Sequence, residues 1–492
     1  MRTRKSIYNF IADVFPQIVI AVLSFFRIKL FLDYIGTEKL GVYQLFAQVL
    51  PYLSLAEMGI TSAVTYSLYR PISERNKKKI SQILVGTRKI FNRIMIFMIV
   101  VGFIIAPNVK FLIAETELSN FYIMFMFIIA MLANLISYVS TPYVALFDAN
   151  QEQYKYNFFT QIVLVIKQVV EIVLIVVTKN LFIVLVSELL FSIVRIIIIK
   201  KLFNKNYDYV DLNEKEDTSF LKKTKELFPH KIGTLVSRNI DVVITSKFLG
   251  LTSVVSYNSY YYIINVVNGI IGKFSSATLA SLGNLLVEAK ERAYKVFLEY
   301  NSMLFFVATI ICIPLSFAIS PFVQLWYGNE FVVDNITVIF FTLIMFYEII
   351  RIVLNTFCGA AGIYKETIKC TYIEIVVNLV LSLILVNYLG IKGLLIGTFI
   401  SLIVSEYFIK PNILNIKIFE DQLSKYYLQC LKLFLVALIN SLMLRFIYNM
   451  FSITNLLWWF IYSFLIFVIN FIITIGLYKL LNEFEFVKRI KK

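Results

Sequence analysis

Apolar residues run almost without pause from Ile7 to Leu481 and divide, at turn residues and charges, into about 14 stretches. Each is near the length of roughly 20 residues that a helix needs to cross a bilayer. The pattern predicts spans near 8–31, 40–65, 86–106, 120–146, 158–178, 180–199, 229–249, 254–286, 299–325, 333–357, 367–388, 391–409, 427–448 and 454–478. The fold class that follows is an all-α integral membrane protein, because helices satisfy every backbone polar group without water.

Composition agrees. Apolar residues make up 59% of the chain and charged ones only 16%, with a mean hydropathy of +0.79, values that do not suit a soluble domain. Cys312, Cys358, Cys370 and Cys430 lie in or beside spans with no paired spacing, so they read as packing residues ahead of disulfide or metal ligands. One histidine, His230, leaves neither a His-based metal site nor a Ser/His triad. The first apolar run is too long for a signal h-region, so no cleavable signal sequence is expected. No GxxxxGK[ST] loop supplies an ATP engine. A membrane glycosyltransferase or polymerase would carry a large outer loop or a soluble catalytic domain. The longest loop here is the basic stretch 200–228, so the expectation is a non-enzyme with no metal and no cofactor.

The net charge of +16 first suggests nucleic acid, but its distribution excludes that reading. Basic residues cluster in alternate loops: Arg2, Arg4 and Lys5; Arg70, Arg75 and Lys77 to Lys79; Lys200 to Lys225; Lys290, Arg292 and Lys295; Lys488 to Lys492. The loops between them hold scattered cations such as Lys39, Lys110, Lys179 and Lys392. This positive-inside asymmetry predicts an even number of spans with both termini cytoplasmic.

The chain also repeats itself. Ile35, Gly36 and Thr37 followed by Tyr43 match Leu249, Gly250 and Leu251 followed by Tyr257, and Tyr154–Lys155 match Tyr364–Lys365. Both matches join spans of equal rank and orientation, which predicts two parallel six-helix halves around a central cleft. The expected organisation is an N-terminal bundle at 1–199, a cytoplasmic linker at 200–228, a C-terminal bundle at 229–410, and two additional helices with a tail at 411–492.

Polar residues inside spans mark candidate chemistry, since a charge near mid-membrane costs about 2.5–3.5 kcal/mol even on a lenient scale. Span 7 carries Lys231, Arg238, Asp241 and Lys247. Arg27 and Glu57 lie in spans 1 and 2, where Pro16 and Pro51 also fall, and Gln44 and Gln48 share a face. Lys167 and Glu171 sit four apart in span 5, Glu188 and Arg195 in span 6, Arg351 in span 10 and Glu374 in span 11. Lys167 with Glu171 reads equally as a neutral structural pair, and Arg88, Lys89 and Arg93 are near enough to the edge to snorkel. Tyr257, Tyr261, Asn265, Asn268, Gly272 and Ser275 form one stripe along span 8. Such a stripe suits a sugar, with its apolar face and hydroxyl rim, and suits helix packing equally well.

Several motifs, in their order, resemble those of bacterial oligosaccharide-unit flippases, the polysaccharide-exporter branch of the multidrug/oligosaccharidyl-lipid/polysaccharide exporter superfamily. They are Tyr66 to Pro71 with the basic run after it, Arg238 through Asp241 to Gly250 and Tyr257, Ala280 to Asn284, Leu325 to Gly328, and Asn378 to Leu385 followed by Gly390, Gly393 and Gly397. The resemblance implies a flippase in the bacterial cytoplasmic membrane that moves an undecaprenyl-pyrophosphate-linked oligosaccharide outward by alternating access, for capsule or O-antigen. Its partners would be that lipid-linked substrate, the surrounding lipids, and a polysaccharide polymerase and glycosyltransferases. On this reading Arg27, Arg238 and Arg351 are candidate headgroup cations, Tyr257, Tyr261, Asn265 and Asn268 candidate sugar contacts, and Glu57 and Asp241 candidate ion-coupling carboxylates, Glu57 the better proton carrier. A lipid II-type flippase and a multidrug or cation antiporter of the same superfamily are the alternatives.

Overall fold

A computed structural model describes the backbone of residues 2–53, 57, 59–288, 290–419, 423–448 and 453–486. Side chains are described for the same residues apart from 2–15, 222–238, 270, 273–281, 284, 287–288, 290–291, 364 and 447. The regular structure of these segments is helical, with no strand among the described residues. It forms α1 (Arg2–Tyr34), α2 (Thr37–Leu53), α3 (Ile60–Ser73), α4 (Lys77–Ile105), α5 (Asn120–Leu135), α6 (Thr141–Ala149), α7 (Tyr154–Thr178), α8 (Leu181–Asn206) and α9 (Leu221–Glu288). Then follow α10 (Lys290–Trp326), α11 (Asn335–Ile350), α12 (Ile352–Ala361), α13 (Tyr364–Leu389), α14 (Ile391–Leu402), α15 (Lys410–Leu414), α16 (Leu423–Tyr448) and α17 (Leu456–Leu480).

Among the described residues, 11 helical segments are long and apolar enough to cross a membrane. They match twelve of the fourteen sequence spans, because spans 7 and 8 run together as one segment. That segment lies in α9, where Gly250, at φ 81 and ψ 176, leaves helical geometry and kinks the chain between two helices. Spans 1 and 2 complete the set. The side chains of α1 are described only from Pro16 on. Span 2 divides into α2 and α3, and Gly59 at φ 90 caps the start of α3.

Contacts divide the chain into two compact units, Met1–Val254 and Val255–Lys492. The first packs α1 on α7, α7 on α8 and α5 on α8. The second packs α13 on α14 so closely that a side-chain carbon at Gly393 would stand 2.3 Å from the Leu385 carbonyl oxygen. Glycine is needed there for the backbones to meet.

The repeat seen in the sequence recurs in backbone detail. Gly36 at φ 101 joins α1 to α2 as Gly250 joins spans 7 and 8, both in the left-handed region that glycine enters without strain. Tyr154 and Tyr364 each begin a helix, and the C-caps of those helices, Lys179 at φ 52 and Gly390 at φ 58, again share a positive φ. Ser119 caps α5, accepting from the Tyr122 N–H, and Asp334 caps α11, accepting from the Ile336 and Thr337 N–H groups. Both of these helices break at the same depth, α5 at Ile136–Ser140 and α11 at Arg351.

The basic linker is not loose. Its Asp217 N–H donates to the Gln82 carbonyl at 3.0 Å, and the Asp217 carboxylate takes Lys79 at 2.7 Å. Burial works against the charge on Asp217, but the Lys79 and Ser219 donors outweigh it and hold its pKa below the usual carboxylate value. Lys89 pairs with Glu216 at 3.1 Å and Arg88 reaches the Leu212 carbonyl at 3.4 Å. The first turns of α4 are therefore a docking strip for the linker.

Topology is checked by cysteine replacement and an impermeant thiol reagent on intact cells. Lys110→Cys and Glu330→Cys are expected to label and Lys215→Cys to stay protected, and the reverse pattern would invert the assignment.

Candidate functional site

Among the described residues, charged side chains gather into a buried centre in each unit. In the first unit Arg27 of α1 donates to Glu171 of α7 at 2.8 Å and to the Tyr43 hydroxyl at 3.1 Å. Its guanidinium also lies 5.3 Å from the Tyr43 ring centroid. Glu171 is fully buried, at 0% exposure. Lys167, one turn before it, stands 3.6 Å from Glu171 and 2.6 Å from Glu188 of α8. The pair read from the sequence is thus one edge of a four-membered chain, and the tighter contact of Lys167 is with Glu188.

Beside this chain lies a cavity of about 340 Å3, lined by α2, α5, the break after α5, α7 and α8. Lys167, Glu188 and Arg195 face it along with Asn134, Ser137 and Ser192, among alanines and large apolar residues. It has room for on the order of ten waters at about 30 Å3 each.

In the second unit Arg351, at the break between α11 and α12, bonds Glu348 at 2.7 Å and Glu374 of α13 at 3.5 Å. Lys410 pairs with Glu406, one turn away, and donates to Asn355 of α12 at 2.7 Å. The segment carrying Glu406, Ile403–Ile409, is a π-helix, a local widening common where side chains must be re-aimed. The sequence reading missed Glu348, Glu406 and Lys410. The signal was present as a Glu–Lys pair four residues apart at the C-terminal end of span 12.

The remaining candidates are spread through both units. Asp241 is buried in the first unit, at 6% exposure, and Glu57 is half-buried between α2 and α3. The side chain of Arg238 lies outside the described residues, as does that of Ser275. Tyr257 is buried, its ring 5.4 Å from that of Tyr261 and 5.3 Å from that of Phe341. Asn265 is exposed and Asn268 half-buried. Tyr260, off the predicted stripe, is fully buried, stacks on Phe341, bonds Ser320 at 3.1 Å and accepts from the Val333 N–H. The four cysteines are all buried and unbridged.

No known family's sequence profile matches this chain, and no curated protein is a relative detectable by sequence. Solved structures do match. A lipid II flippase, MurJ, in an inward closed conformation superposes with a TM-score of 0.72 at 18% identity, over 97% of this chain and 99% of that one. The chain has the fold of a membrane transporter. An inward-facing multidrug resistance transporter of the MATE family and MOP superfamily gives a TM-score of 0.61 at 15% identity, over 80% of this chain and 94% of its own. The eukaryotic MATE transporter AtDTX14 gives 0.57 at 14% identity, over 86% and 98%.

Proposed function

We propose that this protein is a flippase that carries an undecaprenyl-pyrophosphate-linked oligosaccharide across a bacterial cytoplasmic membrane, for capsule or O-antigen synthesis. The observation that carries this reading is the full-length fold match to a lipid II flippase, over 97% of the chain against 80% for the MATE transporter. A polyprenyl tail stays in lipid while the headgroup passes, so the protein need supply only cations for the pyrophosphate and polar or aromatic groups for the sugar. Arg27, Arg238 and Arg351 are the proposed headgroup cations, and Tyr257, Tyr261, Asn265 and Asn268 the sugar contacts. Glu57 and Asp241 are the candidates for ion coupling. Alternating access by the two repeated halves provides the movement, with both termini cytoplasmic.

The test is reconstitution. Proteoliposomes holding the lipid-linked oligosaccharide in one leaflet are expected to expose it to a lectin on the other side, and Arg238→Ala is expected to abolish that exposure with protein level unchanged. Lipid II in the same assay decides the second reading, a lipid II-type flippase. Movement of lipid II without movement of the oligosaccharide would replace the proposal.

A further inference from the structure

The two repeated halves solve the same electrostatic problem in opposite ways. Equivalent helix starts set the register between them: Asn120 with Asn335 for α5 and α11, Tyr154 with Tyr364 for α7 and α13. Leu181 with Ile391 does so for α8 and α14. On that register Glu348, Glu374 and Glu406 of the second half correspond to Ala133, Leu164 and Ile196 of the first. Ala133, Leu164 and Arg195, the residue beside Ile196, line the cavity of about 340 Å3. Where the second half sets three carboxylates, the first half has three apolar side chains, with a void and a cation beside them.

Charge follows the same exchange. The second centre sets Glu348, Glu374 and Glu406 against Arg351 and Lys410. The first sets Arg27, Lys167 and Arg195 against Glu171 and Glu188. Arg195 is the surplus cation. Among the described residues it forms no ion pair, and it borders the cavity together with Lys167. An uncompensated guanidinium within a span is expensive, and the space left by the missing carboxylates lies beside it. Asn134, Ser137 and Arg195 are exposed, so the cavity has an open, polar side through which a ligand can enter.

We propose that the cavity of the first half is a binding site for a phosphate-type oxyanion, held by Arg195 and Lys167 and supplied from outside in place of the carboxylates that the second half builds in. A guanidinium offers two parallel donors to such a group. Lys167 adds a point charge already aimed by Glu188. The ligand is either a free anion or the phosphate of a lipid headgroup, and the site's chemistry is the same for both. This site is separate from the headgroup role proposed for Arg27, Arg238 and Arg351.

The experiment uses the full chain in nanodiscs of zwitterionic lipid and follows thermal unfolding at constant ionic strength. Inorganic pyrophosphate is the soluble probe and undecaprenyl phosphate the lipid probe. At least one is expected to raise the unfolding midpoint saturably. Its apparent affinity should fall about tenfold or more in Arg195→Gln, the weight of one charge-assisted contact. Ala133→Glu installs the counter-charge that the second half carries at this position. It is expected to weaken probe binding by a similar factor while raising the midpoint without probe, a combination that misfolding does not produce. Stabilisation by pyrophosphate assigns the site to a soluble anion, and stabilisation by the lipid alone assigns it to a headgroup. No stabilisation by either probe, or stabilisation that survives both substitutions, overturns the proposal. Flipping of the lipid-linked oligosaccharide is scored separately, so failure here leaves that reading standing.

Discussion

Glu171→Gln is expected to remove most of the folded protein from the membrane. Glu171 is fully buried and receives Arg27 at 2.8 Å and Lys167 at 3.6 Å, so glutamine leaves two cations facing each other with Glu188 as the remaining carboxylate of that centre. Breaking one partner of a buried ion pair costs about 3–5 kcal/mol, a large fraction of the 5–15 kcal/mol typical of a whole domain. The loss should read out as a depleted monodisperse peak in size-exclusion chromatography and a lowered unfolding midpoint. The double substitution Arg27→Met with Glu171→Met, which removes a cation together with the anion, should recover much of it. A Glu171→Gln variant as stable as the parent would mean that water reaches the centre and screens it.

Lys410→Met is expected to be as damaging in the second half, and more so than Glu406→Gln, although the two substitutions break the same ion pair. The asymmetry comes from the surplus carboxylate. Methionine leaves Glu348, Glu374 and Glu406 with Arg351 alone, whereas glutamine leaves two carboxylates balanced by two cations. Lys410 also keeps its bond to Asn355 when Glu406 is neutral. A difference of about 2 kcal/mol or more between the variants follows if the uncompensated charge dominates. Equal losses would show that the hydrogen bonds, which both substitutions disturb, carry the stability instead.

These expectations depend on contacts that no local pattern contains. The sequence singled out Arg27, Lys167, Glu171, Glu188, Arg351 and Glu374 because charges inside apolar runs are costly enough to be conspicuous. It did not pair Arg27 with Glu171, which are 144 residues apart, and it gave Lys167 the nearer carboxylate in sequence when the shorter bond goes to Glu188. Helical spacing brings residues four apart onto one face, but partners on different helices are chosen by packing. Glu406 and Lys410 were overlooked because they lie at the end of a span, where charges usually reach water.

Apolar length and the cost of bare backbone in lipid determined the helices, and the distribution of Lys and Arg set the expected topology. The glycines that join spans 1 to 2 and 7 to 8 carried the repeat, because a left-handed turn between helices leaves a mark at single positions. What only the tertiary structure decided is the balance of charge within each half. That balance depends on which side chains share a buried space, and Ala133, Leu164 and Arg195 border one cavity only because α5, α7 and α8 pack around it.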